Sequence, residues 1–555
     1  MHRLQRDVAP ESGALQACKG RRRVAAKRFL SFALALLRRR ALATGLLLVA
    51  LTGCAGLPVV ADRPESRALP ATADTELGRF AKQAHLQPGE SGFHGMPQAE
   101  YALDTRVELI RRAQRSIDLQ TYQIGNDLVG RTLLKELRDA GRRGVRVRLL
   151  VDDFYTLEMD RPLLHLAAQT GVSVRLYNPF VLGRASAPGR FFNLLGDGRR
   201  LNHRMHNKMM VVDGAWAVVG GRNLSDEYFM RSQAGNFLDV DFLIAGAVVP
   251  DLAALFDRYW NHTRVIEIQR ISDDGLSLEE RRAAFDEFVA STPPLRPLTD
   301  PDMLGVLPLG QALERGLPAL RPATASAFAD DPYKTFDPLA PRELAQPRTT
   351  LAWIESHIGQ PRSESLLLSP YFLPDERLRH RLSAAARAGA QITVVTNSVA
   401  SSDEPLVAFA SHRHRDALLS AGVRLFEVRP TPSARSPMTA NAPADAKLRL
   451  HTKMGVFDRR VLGIGSINLD PRSHRINTEL AILIDSPGLA NDVADMVHAW
   501  TATDELQEVI QSTHGWSFRV RKGKEVIESD EEPGLDGYAR LRLGLLHLLV
   551  PDELL

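Results

Sequence analysis

The stretch His206-Asn-Lys208-Met-Met-Val-Val-Asp213-Gly-Ala-Trp-Ala-Val-Val-Gly220-Gly221-Arg-Asn223 returns later in the chain as His451-Thr-Lys453-Met-Gly-Val-Phe-Asp458-Arg-Arg-Val-Leu-Gly-Ile-Gly465-Ser466-Ile-Asn468. The shared positions read His-x-Lys-x4-Asp-x6-Gly-Gly/Ser-x-Asn, with the Asn 17 residues after the His both times. Five fixed residue types in one such window arise by chance on the order of once per several thousand chains, and a second copy at identical spacing is far rarer. The chain therefore reads as a duplication with a period near 245 residues, the separation of His206 and His451.

The sequence around each copy follows the same grammar. Before the first copy, Ser116–Tyr122 reads as a strand, Val129–Ala140 as an amphipathic helix and Val145–Val151 as a buried strand, followed by a helix around 161–169 and a strand Val172–Tyr177. Before the second, Ser365–Tyr371, Ile392–Thr396 and Val423–Val428 read as strands, with helices Asp375–Ala388 and Leu406–Ser420 closed by Gly389 and Gly422. Alternating βαβα signals predict an α/β fold, a mixed β-sheet flanked by helices in each half. The predicted organisation is a leader at 1–53, a linker at 54–90, a first domain at 91–262, a proline-rich surface connector at 263–345, a second domain at 346–510 and a tail at 511–555. In the connector, Leu278–Val289 reads as a helix capped by Ser277. In the tail, the apolar run Leu541–Val550 is a helix docked on the body or a contact with a bilayer.

With 555 residues, 44% hydrophobic and 25% charged, the chain is long enough for two large cores and is not a disordered polymer. Its net charge of +4 is misleading, because residues 1–53 hold 11 of the 70 Lys and Arg and 2 of the 66 Asp and Glu. The remainder carries 59 basic against 64 acidic side chains, about −5, so bulk charge gives no support to a nucleic-acid partner. Arg38-Arg39-Arg40 precedes an apolar run from Ala41 to Leu51, which ends in Leu51-Thr52-Gly53-Cys54. This pattern resembles a bacterial lipoprotein signal, which implies cleavage before Cys54, a lipid on that cysteine and a periplasm-facing protein tethered to the cell envelope. A membrane-spanning anchor and an ordinary cleaved signal are the alternatives. The 11-residue run is short for spanning, and the 53-residue leader is long for a signal. Cleavage leaves Cys54 as the single cysteine, which excludes an internal disulfide and a cysteine-based metal cluster.

In each motif the His and Lys stand at i and i+2 of a β-rich segment, so imidazole and ammonium share a face. Asp213 and Asp458 fall at odd spacing from both and open a turn, which makes them supports for the motif rather than groups that touch substrate. The small residues Gly220-Gly221 and Gly465-Ser466 let the backbone and Asn223 or Asn468 come close to an anion. One His, one Lys and one Asn from each half suit a phosphodiester: an in-line displacement needs a nucleophile on one side, an acid on the other and positive charge around the equatorial oxygens. Imidazole serves both as nucleophile and as acid–base near neutrality. Each His also needs an acceptor on its second nitrogen, for which Glu479 after the second motif and Asp239 or Asp241 after the first are the candidates. Tyr122 and Tyr371 hold matching positions and are candidates for the pocket wall. The pairs His203/His206 and His412/His414 lack the carboxylate or thiolate company of a metal site, and His412-Arg-His-Arg415 reads as solvated helix surface.

The duplicated motif resembles the phospholipase D superfamily over residues 90–510, and Arg200–Lys208, Thr396–Asp403 and Asn468-Leu-Asp-Pro-Arg-Ser473 resemble its bacterial cardiolipin synthases. The resemblance implies two pseudo-symmetric phospholipase D-like domains sharing one active site at their interface, with no metal and no cofactor. It implies transfer of a phosphatidyl group to phosphatidylglycerol through a phosphohistidine, with phosphatidylethanolamine as a second donor candidate. Its precedent favours His206 as nucleophile and His451 as acid and base. Water in place of the acceptor alcohol makes the same machinery a phospholipase, and a nuclease or a silent envelope lipoprotein are the remaining alternatives.

Overall fold

The β-branched and leucine-rich segments of each half form parallel strands buried on both faces, as their near-continuous apolar character requires. In the first half, Ser116–Thr121, Arg146–Asp152 and Val172–Tyr177 pair in parallel; in the second, Glu364–Leu368, Gln391–Asn397 and Arg424–Val428 do the same. Each set continues through antiparallel strands. Ser116–Thr121 is followed across the sheet by Met209–Val212, Trp216–Gly220, Asp241–Gly246 and Glu90–Met96. Glu364–Leu368 is followed by Met454–Phe457, Val461–Gly465, Leu480–Asp485 and Arg321–Ala329. The two last-named strands, Glu90–Met96 and Arg321–Ala329, then pair antiparallel with each other, with Glu90 opposite Thr324 and Phe93 opposite Arg321. The described strands thus join into one sheet of 18, whose halves are related about that central pair.

This computed structural model describes residues 57, 63–181, 183–316, 318–334, 349–513, 515–547 and 550. The leader and Cys54 lie outside them. The described residues fall into two compact units, Leu57–Phe180 with Arg199 onward, and Val181–Gly198. The first holds both motifs. The second contributes most of the helix Ala187–Leu201, which bends at Asp197 and carries exposed Phe191, Phe192 and Leu195.

Three expected boundaries change. Residues 54–90 are not a free linker from Arg63 onward: the Arg63 guanidinium donates to the carbonyls of Asn261 and His262, the Ala68 amide donates to Asp257, and Leu77 is fully buried. The connector is not all surface either. Arg321–Ala329 is the strand that starts the second half, and Val265–Glu267 borders Val172–Tyr177. Small residues in Arg-Pro-Ala-Thr-Ala-Ser-Ala hide it from a search for β-branched runs, although strand pairing on both sides supplies what propensity lacks. The helix Leu278–Ala290 sits where its periodicity put it, with Ser277 and Glu280 forming a reciprocal cap. Finally, the tail adds Gly515–Lys522 and Glu525–Ser529 to the sheet edge and ends in the helix Gly537–His547.

Candidate active site

The two motif histidines meet at the contact between halves, their ring centres 6.5 Å apart. Each is held by the half to which it does not belong. His206 shares its Nδ1 with Glu479 Oε2 at 3.0 Å and the Ser466 carbonyl at 3.1 Å, whereas His451 Nδ1 pairs with Asp239 Oδ2 at 2.8 Å. The backbone makes the same exchange. The His206 amide donates to the Thr478 carbonyl, and the His451 amide to the Leu238 carbonyl. Lys447–Leu450, which delivers His451, runs parallel to Gly235–Leu238 of the first half. With both Nδ1 atoms occupied, the two Nε2 atoms are the ones left for chemistry.

The candidate aspartates divide. Asp239 orients His451, but Asp241 lies on the sheet strand and pairs with the buried Arg222 at 3.1 Å and Arg106 at 2.9 Å. Asp241 is therefore an ion-pair support, a correction to its place among the catalytic candidates. The two residues stand an even number apart, so a periodicity argument could not separate them; only the crossing of the halves does. Asp213 and Asp458 are supports, as their spacing predicted. Asp213 accepts from the amides of Gln114, Arg115 and Ser116, and Asp458 from those of Arg362, Ser363 and Glu364. Both adopt φ of +51°, a turn conformation that Asp tolerates better than most residues.

Two serines fix Glu479: Ser466 Oγ donates to its Oε2 at 2.5 Å and Ser473 Oγ to its Oε1 at 2.8 Å. In the first half Gly221 occupies the place of Ser466, and a methyl added there would overlap the Asp239 carboxylate. The pairing Ser466/Glu479 against Gly221/Asp239 is a matched difference, an acid with a hydroxyl support and an acid whose carboxylate itself fills the space a side chain would take. Behind Glu479 stands a group that the sequence reading missed. Asp330 Oδ2 accepts from the Glu479 amide, and the buried Lys334 Nζ donates to Asp330 and to the carbonyls of Ser473 and Asn477.

Lys208 and Lys453 each donate to the carbonyl of their own motif histidine, at 2.8 and 2.5 Å, and both are buried. Asn223 and Asn468 are held at equivalent points, because Leu224 bridges to Ile124 and Leu469 to Phe372. The Oδ1 atoms of both carboxamides are buried and lack a hydrogen-bond partner. Such a pair of unsatisfied groups on a symmetric floor fits a polar occupant, and a carboxamide turned over presents its NH2 to a phosphate oxygen. Tyr122 stands edge-on to His206 with ring centres 5.1 Å apart, as a wall residue should. Tyr371 instead donates to Asp403, and it is Tyr228, unmarked by any motif, that stands edge-on to His451 at 4.9 Å. His412 is buried and pairs with Glu532, which overturns its reading as solvated surface.

Burial controls the protonation of the site. Desolvation lowers His206 to about 4, against the opposing pull of Glu479. It lowers His451 well below the ordinary imidazole value, reinforced by Lys453 and Lys208. Desolvation and the neighbouring Lys453 bring Lys208 to about 7, and desolvation brings Lys453 to about 8. Four nitrogen bases crowded together out of water disfavour each other's charge. A phosphodiester placed among them reverses that balance and draws protons onto the set. Among the described residues, no group of three His, Cys, Asp or Glu converges to hold a metal ion.

The family model described as "Cardiolipin synthase, PLD-like domain" matches residues 107–260 and 354–500. The chain is 32% identical to cardiolipin synthase C of Escherichia coli over 488 residues, 84% of this chain and 97% of that protein. It is also 32% identical to an uncharacterized protein of Helicobacter pylori over 75% of this chain and 80% of that one. Among solved structures, phosphatidylserine synthase of Haemophilus influenzae superposes with a TM-score of 0.53 at 14% identity, covering 87% of this chain and all of that one. At that identity the superposition speaks for the fold.

Proposed function

The chain belongs to the cardiolipin synthase family of phospholipase D-like enzymes and is a phospholipid phosphatidyltransferase, and on that premise we propose that it moves a phosphatidyl group onto phosphatidylglycerol to make cardiolipin. In the first step His206 Nε2 attacks the phosphorus of the donor lipid. The N–P bond forms as the P–O bond to the headgroup alcohol breaks, and His451 Nε2 gives that alcohol its proton. In the second step the acceptor's hydroxyl loses its proton to His451 and attacks the phosphohistidine, forming the new P–O bond and releasing His206. Lys208, Lys453, Asn223 and Asn468 surround the equatorial oxygens, where charge gathers. Neutral His206 suits the nucleophile. His451 takes its proton when the anionic lipid arrives and offsets the lysine charges.

The observation that carries the reading is the crossed orientation, each ring held by the other half's carboxylate with the two ring centres 6.5 Å apart. The test is incubation of the purified protein with labelled phosphatidylglycerol, with and without phosphatidylethanolamine and with chelator, followed by mass spectrometry of the lipids. Cardiolipin is the expected product. Phosphatidic acid alone would mean that water is the acceptor and the enzyme is a phospholipase. The proposal also places the enzyme in a bacterial envelope, facing the periplasm and tethered by lipid on Cys54. Cys54→Ser should then free it from the membrane fraction, and an unchanged distribution would remove the tether from the proposal.

A further inference from the structure

The helix Gly537–His547 touches the body with one face only. Leu543 is buried with Val399 and Leu535, and Ala539 packs beside them. The opposite face carries Tyr538, Leu541 and Leu545, which are 75, 63 and 57% exposed, while Leu546, about one turn on from Leu543, is 42% exposed at the edge of the contact. Positions 538, 541 and 545 are spaced three and four apart, so they form one stripe. Exposed Arg540 and Arg542 flank it, and the helix contains no acidic residue. A stripe of this kind is costly in water, whereas a bilayer interface takes in leucines and keeps a tyrosine and arginines at headgroup level. No described helix is long and apolar enough to cross a membrane, so the fit is to lying on one.

The helix is also one short segment away from the catalytic groups. It packs on Pro405–Ser411, and Gly534 just before it lies so close to Ala400 that an added methyl would overlap the alanine side chain. The intervening residues reach the site: Asp403 accepts the Tyr371 hydroxyl, and its charge acts on Lys453. The short segment 399–411 therefore contacts the apolar helix on one side, and on the other its Asp403 holds Tyr371 and bears electrostatically on Lys453.

We infer that the Tyr538/Leu541/Leu545 face, with Leu546 at its flank, is the surface by which the enzyme settles on a phospholipid bilayer, presenting its active site to lipids in that bilayer. The inference rests on the phospholipid reading of the substrate. Hydrogen–deuterium exchange on the full chain, with and without vesicles of phosphatidylglycerol and phosphatidylethanolamine, reads the helix directly. Amides of 537–547 should exchange at least about fivefold more slowly on vesicles. Unchanged exchange while the protein is vesicle-bound would overturn the inference, as would protection that grows with protein concentration in the absence of lipid, the mark of a second copy on this face. The triple variant Leu541→Ser/Leu545→Ser/Leu546→Ser supplies the kinetic reading. Its turnover on vesicles, divided by its turnover on short-chain lipid in monomeric solution, should fall at least about tenfold. An unchanged ratio counts against docking. Absence of lipid turnover in the parent protein would defeat the transferase reading, and the exchange measurement would still decide the docking.

Discussion

Asp239 and Asp241 show how two residues of one type acquire different roles from their partners. Asp241 neutralises two buried guanidiniums, Arg106 and Arg222, so Asp241→Ala leaves both unpaired and should cost about 3–5 kcal/mol of stability, read by chemical denaturation. Asp239 holds a ring. Asp239→Asn should fold normally yet lower kcat by about 10²- to 10⁴-fold, because the carboxamide no longer supports the imidazolium that forms at His451. A stability loss for Asp239→Asn that matched Asp241→Ala would refute this division. The lysines supply a second test. Each is charged below its own pKa, and with Lys208 at about 7 and Lys453 at about 8 the positive field around the phosphate is lost as pH rises. For the free enzyme kcat/KM should decline from pH 7 to pH 9, while His206 at about 4 keeps its neutral form above pH 5 and adds no acid limb there. A profile that climbs across pH 7–9 would contradict the assignment. The motif residues, their supports and Glu479 were readable in the sequence because spacing fixes which face a strand residue takes. Tyr228 and Lys334 were not, since nothing local distinguishes them from ordinary core and surface residues.

Elements that pack locally were legible, and those defined by distant pairing were not. The strand Val172–Tyr177 and the capped helix at Leu278 sit where their patterns placed them. The expected helix Leu406–Ser420 is broken at His412–His414, where His412 and Arg415 both turn inward to Glu532. Ion pairs made with a tail more than 100 residues away leave no periodic trace. The strand Arg321–Ala329 is the more consequential case, because it leads directly into Asp330 and Lys334, the pair beneath Glu479. Lys334→Met removes the donors that hold the Ser473 and Asn477 carbonyls and leaves Asp330 buried without its cation. Glu479 and His206 should then lose their fixed geometry, lowering kcat about 10- to 100-fold with little change in KM for short-chain lipid. A variant with full kcat would show that the buttress carries no catalytic weight.

At the scale of the molecule, the duplication has become an obligate pair. Each half contributes a nucleophile-capable imidazole and the carboxylate that aims the other half's imidazole, so neither contains a motif histidine together with its acid. The sheet has the same property. Glu90–Phe93 and Arg321–Thr324 cover each other, and separating the halves opens a strand edge on both. A first half ending before Arg321 and a second half beginning there should each show no lipid turnover, even where circular dichroism reports a folded sheet. Expressed together they should recover activity, because the exposed edges are complementary and the crossed hydrogen bonds re-form on contact. The measurement is cardiolipin formation by each half and by the mixture. Substantial turnover by one half alone would refute the shared site, since that half would need an acid of its own to orient its histidine, and the structure places none there.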